Sequence, residues 1–253
     1  VGSIQLHYGD KYDDLTYNRL LLAACAKAGI VAFTGDGVDP AVMEGATQAI
    51  RAQQGCGVPT VKPWDRETLM QKLDLALTAD PMAIAMDIDA ADLPFLRNRM
   101  PPAGSKTVAE LREVAEHARK PFILKGIMTV RGAEKAVEAG ASAIVVSNHG
   151  GRVLDQCPAT AEVLPEIAAV LKGTGVKVLV DGGIRTGVDV FKALALGADG
   201  VLIGRPFVTM VYGGGEEGVA AYVRKLTDEL SDTMAMCGAH SLKEINREML
   251  WQG

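Results

Sequence analysis

Residues 147–155 combine, in one short segment, side chains that could do chemistry. The segment reads Ser-Asn-His-Gly-Gly-Arg-Val-Leu-Asp and directly follows an apolar run at 143–146. An imidazole such as that of His149 can accept a proton. The guanidinium of Arg152 can bind a carboxylate through two hydrogen bonds. The segment therefore predicts a general base beside an anion-binding arginine, and a polar loop that only caps a strand is the alternative.

Two glycine-rich segments further along the chain each contain an arginine. They cover residues 181–185 and 204–206, and each follows an apolar run. Glycine lets a phosphate approach the backbone amides closely, and a neighbouring arginine balances its charge. A phosphate site is therefore predicted, with two tight turns bearing surface ion pairs as the alternative. Its candidate residues are Asp181, Gly182, Gly183, Arg185, Gly204 and Arg205.

Charged residues also end other apolar runs. Lys125 closes the run 122–125, and Asp87 and Asp89 follow the run 82–86. A lysine in such a position can form a Schiff base, pair with a phosphate or act as a fixed positive charge. A rim lysine that only reaches into solvent is the alternative. The residues alone leave these roles of Lys125 open.

Apolar runs typical of buried strands alternate with helical segments along nearly the whole chain. The predicted strands are 30–34, 60–62, 82–86, 122–125, 143–146, 176–180 and 200–203. The predicted helices are 15–28, 66–78, 106–119, 159–172, 188–196 and 217–236. Thr107 and Glu110 have the spacing of a capping box. Gly140 and Gly197 stand where helices are expected to end.

This alternation predicts an α/β fold with a parallel sheet covered by helices. Because the composition shows no break, residues 1–253 are predicted to form a single (β/α)8 TIM barrel, with an open doubly wound sheet as the rival. An eighth strand should precede the first predicted helix, and only residues 1–4 remain there for it. Strand 1 and the segment upstream of it are therefore expected to be short or largely missing from this sequence. Functional groups of such a barrel gather where its strands end.

Composition narrows the function classes. The chain of 253 residues is 48% hydrophobic and 23% charged, as in soluble globular proteins. A net charge of −5 provides no basic field for nucleic acid, and no apolar stretch is long enough to span a bilayer. The four cysteines lack CxxC spacing, which argues against a zinc site and favours reduced thiols. We therefore expect a cytoplasmic protein without a metal, nucleic-acid or membrane partner.

The motifs resemble those of a known family. Residues 147–155, followed by Pro158-Ala159-Thr160, are similar to the signature of FMN-dependent α-hydroxy-acid oxidases and dehydrogenases, which include glycolate oxidase and lactate oxidase. Segments 181–187, 189–198, 204–206 and 234–245 continue the match. The strong resemblance covers residues 120–250, about half of the chain, and its histidine motif is highly specific.

The resemblance implies FMN as cofactor and the oxidation of a small 2-hydroxy acid to the 2-oxo acid. It makes His149 the base, Asp89 the carboxylate that holds the histidine, and Arg152 the clamp on the substrate carboxylate. Lys125 matches the lysine beside flavin N1 and O2, and Ser147 a residue near the flavin or this lysine. The candidate phosphate residues match the FMN ribityl and phosphate site. A homo-oligomer, with the tetramer as the family's common form, is also implied.

The first half of the chain departs from the family's pattern. Residues 61–64 read Val-Lys-Pro-Trp where relatives end a strand with a substrate-contacting tyrosine. Residues 33–36 replace a serine-rich strand end. The irregular segment 90–106 is expected to be a mobile loop over the site, and it is shorter than the loop that brings a second arginine in relatives. Only Arg97 or Arg99 could substitute for that arginine.

Three aromatic residues near the start of the chain are candidates to replace a missing family tyrosine: His7, Tyr8 and Tyr12. Two other functions remain open beside the oxidase. One is a different reaction on the same flavin platform, like that of type 2 isopentenyl-diphosphate isomerase. The other is a non-catalytic binder of FMN or another phosphate ligand.

Overall fold

Six parallel strands form one sheet in the computed structural model, which describes residues 2–93, 96 and 100–251. Each strand pairs with the next one along the chain. The strands are β1 (Thr60–Val61), β2 (Ile84–Asp87), β3 (Phe122–Ile127), β4 (Ala143–Val146), β5 (Lys177–Val180) and β6 (Gly200–Val201). This sequential parallel order confirms the predicted α/β fold, because only crossover connections can join neighbouring parallel strands.

Helices connect the strands and cover the sheet. They are α1 (Ile4–Tyr8), α2 (Asp14–Lys27), α3 (Pro40–Ala52), α4 (Arg66–Leu77), α5 (Val108–Ala118), α6 (Val130–Glu138), α7 (Thr160–Leu171), α8 (Gly187–Ala195) and α9 (Arg205–Cys237). Short 3-10 helices cover Ile88–Asp92, Leu242–Glu244 and Arg247–Met249. No helix in the described part of the chain combines the length and the apolar character that a membrane span requires.

The predicted helices agree with α2, α4, α5, α7 and α8 to within two residues at each end. The predicted capping box is confirmed, since the amide of Glu110 donates to Thr107 Oγ1 at 3.2 Å and the amide of Thr107 to Glu110 Oε2 at 2.7 Å. Helices α1, α3 and α6 were not predicted, and α9 begins well before residue 217. The Asp39-Pro40 start of α3, where Asp39 accepts from the amide of Ala41 at 2.9 Å, is a signal that could have shown it.

Six of the seven predicted strands lie in the sheet, and the first predicted strand, 30–34, forms only an isolated parallel bridge between Phe33 and Val58. Residues 2–4, the only candidate for an eighth strand, form none: Ser3 is left-handed and Ile4 begins α1. The sheet of the described residues is therefore not closed. Helix α2 nevertheless packs against both α3 and α9, so the helix layer brings the two ends of the chain together. That the chain forms a single domain stays a prediction.

Side-chain alternation divides the core into two layers. Met86, Leu124 and Val146 face the helices and belong to the outer core. Their strand neighbours face the opposite way, toward the inside of the curved sheet, because successive side chains alternate. This inner core contains Val58, Ala83, Ala85, Ile123, Ala143 and Val145. The inner core forms an apolar floor beneath the carboxyl ends of the strands, which we call the mouth.

Candidate functional site

One row of polar side chains lines the mouth directly above the inner core. Each follows an inner-core residue by two positions and so points the same way. The row consists of Asp87, Lys125, Ser147 and Asp181. The parallel register sets Asp87 opposite Lys125 on the neighbouring strand. Strand alternation thus gathers groups that are distant in sequence.

The ammonium of Lys125 lies between two carboxylates. Its Nζ is 3.1 Å from Asp87 Oδ1 and 3.8 Å from Asp181 Oδ2. Burial alone would lower the pKa of Lys125, but Asp87, Asp181 and Asp89 together raise it above the usual lysine value. Burial alone would raise the pKa of Asp87, and Lys125 with Lys62 and His149 holds it well below the usual range. Lys125 therefore carries a permanent positive charge.

His149 is oriented by Asp89 and by its own loop. Its Nδ1 lies 3.0 Å and 3.2 Å from the two Asp89 oxygens, and its backbone amide donates to Ser147 Oγ at 3.1 Å. Nδ1 also lies 3.5 Å from Lys125 Nζ. One nitrogen cannot donate to Asp89 and accept from Lys125 at once, and the shorter contact to Asp89 decides that Nδ1 carries the hydrogen. Nε2 is left to accept a proton.

Gly126 allows Asp89 to reach His149. The register of β3 shifts between Lys125 and Ile127, and Gly126 has a φ of 104°. A Cβ atom on this glycine would lie 2.5 Å from Cβ and Cγ of Asp89. A side chain there would therefore displace the carboxylate that holds the imidazole.

Arg152 lies on the surface of the same loop as His149. Its Nε donates to the carbonyl of His149 at 3.2 Å, and its terminal nitrogens have no hydrogen-bond partner among the residues with described positions. The loop also meets the start of α9, because a Cβ on Gly150 would lie 2.7 Å from Arg205 Nη2. An anion between β4 and α9 would face both guanidinium groups.

The predicted phosphate residues meet at the ends of β5 and β6. Gly182 and Gly183 have φ values of 93° and 79°, and no atom of a described residue lies within 4 Å of a Cβ placed on Gly183. Pro206 has no amide hydrogen, and the amides of Phe207 and Val208 donate to the carbonyl of Gly204 at 3.0 Å and 3.4 Å. The first turn of α9 therefore offers chiefly Arg205 to an anion. Arg185 is exposed and its Nη1 donates to the carbonyl of Ile184 at 2.9 Å.

Asp181 is the least satisfied group of the mouth. Its Oδ1 is buried and has no hydrogen-bond partner among the described residues. Burial raises the pKa of Asp181 above its usual value, although the charge of Lys125 opposes this shift. A buried acceptor without a donor is costly unless a ligand supplies the donor.

Asp87, Asp89 and His149 have the composition of a metal site, with ligand atoms within 4.8 Å of one another. Lys125 Nζ, however, lies 3.1 Å from Asp87 and 3.5 Å from His149 Nδ1. The ammonium already supplies the positive charge that a metal ion would bring. The expectation of a site without a metal stays a prediction, and this geometry favours it.

The three aromatic candidates near the start of the chain separate in the structure. The rings of Tyr8 and Tyr12 lie 6.1 Å and 5.1 Å from that of Tyr212 on α9. His7 is close enough to Arg152 and Lys62 for both charges, after burial, to lower its pKa. His7 is therefore the candidate that borders the mouth. The predicted arginines Arg97 and Arg99 lie outside the described residues.

Three residues of the mouth received no role from the sequence: Lys62, Asp87 and Gly126. Asp87 and Lys62 each lie at the end of a strand, on its inner face. The alternation of side chains along these strands could have predicted this orientation from the sequence. Gly126 directly follows a strand-end lysine, and a glycine inside a strand often marks a bulge or a close approach.

Comparisons with known proteins identify the family. The family model described as FMN-dependent dehydrogenase matches residues 14–252. A 2-hydroxyacid oxidase of Dictyostelium discoideum is 45% identical over 147 residues, 58% of this chain and 38% of that protein. Glycolate oxidase of Spinacia oleracea is 48% identical over 136 residues, 53% of this chain and 37% of that protein.

The matched part thus spans well under half the length of these curated relatives. A solved structure of a mandelate oxidase variant with (S)-mandelic acid is 31% identical, with a TM-score of 0.80 over 98% of this chain and 75% of that one. This likeness over almost the whole chain agrees with the predicted barrel architecture, although the described residues form six strands and one isolated bridge instead of eight strands. The chain belongs to the family of FMN-dependent dehydrogenases.

Proposed function

We propose that this chain binds FMN and oxidises a small 2-hydroxy acid to the corresponding 2-oxo acid. The observation that carries the proposal is His149, held at Nδ1 by Asp89 at 3.0 Å and placed beside the charged Lys125. A base with one free nitrogen, next to a fixed positive charge, suits the oxidation of an alcohol, in which the O–H group loses a proton and the adjacent C–H bond loses a hydride equivalent. Membership of an FMN-dependent dehydrogenase family supports both the cofactor and the class of reaction.

The residues at the ends of β5 and β6 fit FMN. The unpartnered Oδ1 of Asp181 would accept from a ribityl hydroxyl. The open backbone at Gly183 and Arg205, at the positive end of the α9 dipole, would bind the phosphate. We propose Ser147, Gly182, Arg185 and Gly204 as further parts of this cofactor site, as the resemblance implies.

Bound FMN would supply the acceptor for the hydride equivalent that leaves C2 of the substrate. His149 Nε2 takes the proton of the 2-hydroxyl group, because Nδ1 already carries the hydrogen bound to Asp89. The Asp89 carboxylate then stabilises the imidazolium. The terminal nitrogens of Arg152 bind the substrate carboxylate, and the charge of Lys125 favours negative charge that develops on the cofactor side.

Stopped-flow reduction of the FMN-loaded protein by a panel of 2-hydroxy acids tests the proposal. We expect at least one acid to bleach the flavin, and His149→Ala to slow that step by about 10²- to 10⁴-fold. His117→Ala is the matched control, since His117 Nε2 also contacts a carboxylate, Asp74, at 2.7 Å but on the surface between α4 and α5. Failure to bind FMN, or an unchanged rate in His149→Ala, would overturn the proposal.

The same experiment separates the alternatives. A non-catalytic binder would hold FMN without reduction by any hydroxy acid. An isomerase would turn over a diphosphate, again without net flavin reduction. The Asp89–His149 pair beside the exposed guanidinium of Arg152 favours the oxidase.

We also propose a cytoplasmic location and a homo-oligomer, with the tetramer implied by the resemblance. All four cysteines are unpaired, as a reducing compartment would leave them. Light scattering on the eluted protein gives the oligomeric state, and imaging of the tagged protein in its own cells gives the location.

A further inference from the structure

Lys62 is a buried lysine that the proposed mechanism does not use. Only 7% of its surface is exposed. It directly follows Val61, which faces the outer core, so its side chain points toward the mouth. No carboxylate of a described residue lies within the 4.0 Å ion-pair distance of its Nζ. A buried ammonium without a close partner is costly and normally acquires one.

The nearest candidate partner is already occupied. Val61 pairs with Met86, so the next residue on the neighbouring strand is Asp87. Asp87 binds Lys125 at 3.1 Å instead. Lys62 acts on Asp87 only through space, where it helps, after Lys125, to hold the pKa of that buried carboxyl low.

The backbone of Lys62 is firmly held. Its amide donates to Asp36 Oδ2 at 3.1 Å. The same carboxylate is fully enclosed and accepts from Trp64 Nε1 and Lys72 Nζ, each at 2.6 Å. The side chain of Lys62 therefore extends from a fixed backbone position and presents its ammonium to the mouth. A residue that selects substrates needs this preorganisation.

Lys62 and Arg152 border the same space. Besides burial, the charges of both residues lower the pKa of His7, which requires that His7 lies near each of them. Arg152 approaches from the loop after β4, and Lys62 from the end of β1, across the row formed by Asp87 and Lys125. A substrate bound by Arg152 would therefore meet a second cation at its far end.

We propose that Lys62 forms a second anion subsite, and that the preferred substrates are 2-hydroxy acids with a second, distal carboxylate. The inference rests on the proposed function and adds the substrate class to it. The rival role for Lys62 is a counter-charge that acts on Asp87 alone. The two roles differ in outcome, because a counter-charge would affect all 2-hydroxy acids alike.

The test compares two substrates of equal length on the FMN-loaded protein at fixed ionic strength. One is 2-hydroxyglutarate. The other is its 5-amide, which keeps the carboxylate next to the hydroxyl group but lacks the charge at the distal end. We expect kcat/KM for flavin reduction to be about 10- to 100-fold higher for the diacid, the size of one charge-assisted hydrogen bond. Lys62→Met should abolish this preference, and Lys62→Arg should keep most of it.

Lys177→Met is the matched control. Lys177 pairs with Asp199 at 2.9 Å at the start of β5, at the opposite end of the strands from the mouth. The Lys177→Met substitution removes the same charge as Lys62→Met and should leave the preference for the diacid unchanged. An equal loss for both substrates in Lys62→Met, or a wild type without preference for the diacid, would overturn the subsite while flavin reduction itself still supports the oxidase.

A second measurement requires no variant. Glutarate and pentanoate, which cannot be oxidised, are titrated into the wild-type holoprotein while the flavin absorbance is followed. We expect glutarate to bind about 10- to 100-fold more tightly, and equal affinities would contradict the subsite. If no hydroxy acid of either kind reduces the flavin, the proposed function fails and this inference fails with it.

Discussion

Two buried lysine–carboxylate clusters in this protein contrast sharply. In the first, Asp36 is fully enclosed, and both of its oxygens accept hydrogen bonds, among them those from Trp64 and Lys72. In the second, at the mouth, Lys125 lies between Asp87 and Asp181, and one oxygen of Asp181 has no donor among the described residues. The first cluster is complete without a ligand, and the second is not.

The difference indicates which cluster serves the fold and which serves the site. A buried charge is tolerated when its partners satisfy all its lone pairs, and such a group then holds elements together. Asp36, which follows the isolated bridge at Phe33, connects that segment to Trp64 and to α4. An acceptor without a donor, such as Asp181 Oδ1, lowers the stability of the ligand-free protein but remains available to bind a ligand.

Asp36→Ala should have the largest effect, on stability. It leaves Lys72 without its carboxylate and the indole nitrogen of Trp64 without an acceptor. We expect the free energy of unfolding to fall by about 3–5 kcal/mol in urea denaturation. Asp39→Ala, which removes only the N-cap of α3, should cost about 1 kcal/mol. A loss below about 1 kcal/mol for Asp36→Ala would erase the contrast between the clusters.

Gly126→Ala should have the next largest effect, on catalysis. The added methyl group would lie 2.5 Å from Asp89 Cγ and displace it from His149. A shift of this kind costs roughly 100-fold in the rate of flavin reduction. Gly140→Ala is the matched control: the φ of 82° imposes similar backbone strain there, but no atom of a described residue lies within 4 Å of the added Cβ. If both variants reduce flavin at the wild-type rate, Gly126 is not a positioning residue.

Asp89→Asn should reduce the rate of flavin reduction by about 10- to 100-fold. The amide oxygen can still accept from Nδ1 of His149, but the negative charge that stabilises the imidazolium is lost. Asp74→Asn, at the surface pair with His117, should leave the rate unchanged. A similar loss in both variants would point to a general effect of charge instead of a role at His149.

Asp181→Asn should have the smallest effect, and of opposite sign to that of Asp36→Ala. The pKa of Asp181 is raised by burial, so the native state binds its proton more tightly than the unfolded chain does. Wild-type stability therefore falls as the pH rises from the ordinary carboxyl pKa through the raised one. In FMN-free protein at neutral pH we expect a gain on the order of 1 kcal/mol.

This gain should vanish below the ordinary carboxyl pKa, where both states of the wild type are protonated. Urea unfolding of the FMN-free protein across this pH range measures it. FMN affinity should fall in the same variant, because an amide is a poorer acceptor than a carboxylate. Asp181→Asn that destabilises the protein at neutral pH would mean that this cluster, too, serves the fold.

Local sequence was sufficient for much of the fold. The predicted capping box is present at the start of α5, formed by Thr107 and Glu110. The predicted helix-ending glycine, Gly140, follows α6 with a positive φ of 82°. Helices α3 and α6 are missing from the predicted set because small residues, such as Ala46 and Ala133, form much of their buried faces and mark an apolar stripe less clearly than leucines do. The predicted helix 217–236 matches the part of α9 after Gly215, whose φ of 55° and ψ of −137° are not helical, and the part before this kink has no counterpart among the predicted helices.

The amino-acid sequence was enough to predict the chemical types at the mouth: a histidine and an arginine on one loop, and a lysine and aspartates at strand ends. These predictions depend on neighbouring residues and on strand alternation, which are local properties. Which of these groups pair with one another depends on the folded chain. Asp87 is bound to Lys125 and not to Lys62. Asp89 reaches Nδ1 of His149, sixty positions away in sequence, because Gly126 leaves room for its carboxylate. The strand register and the bulge in β3 set these distances.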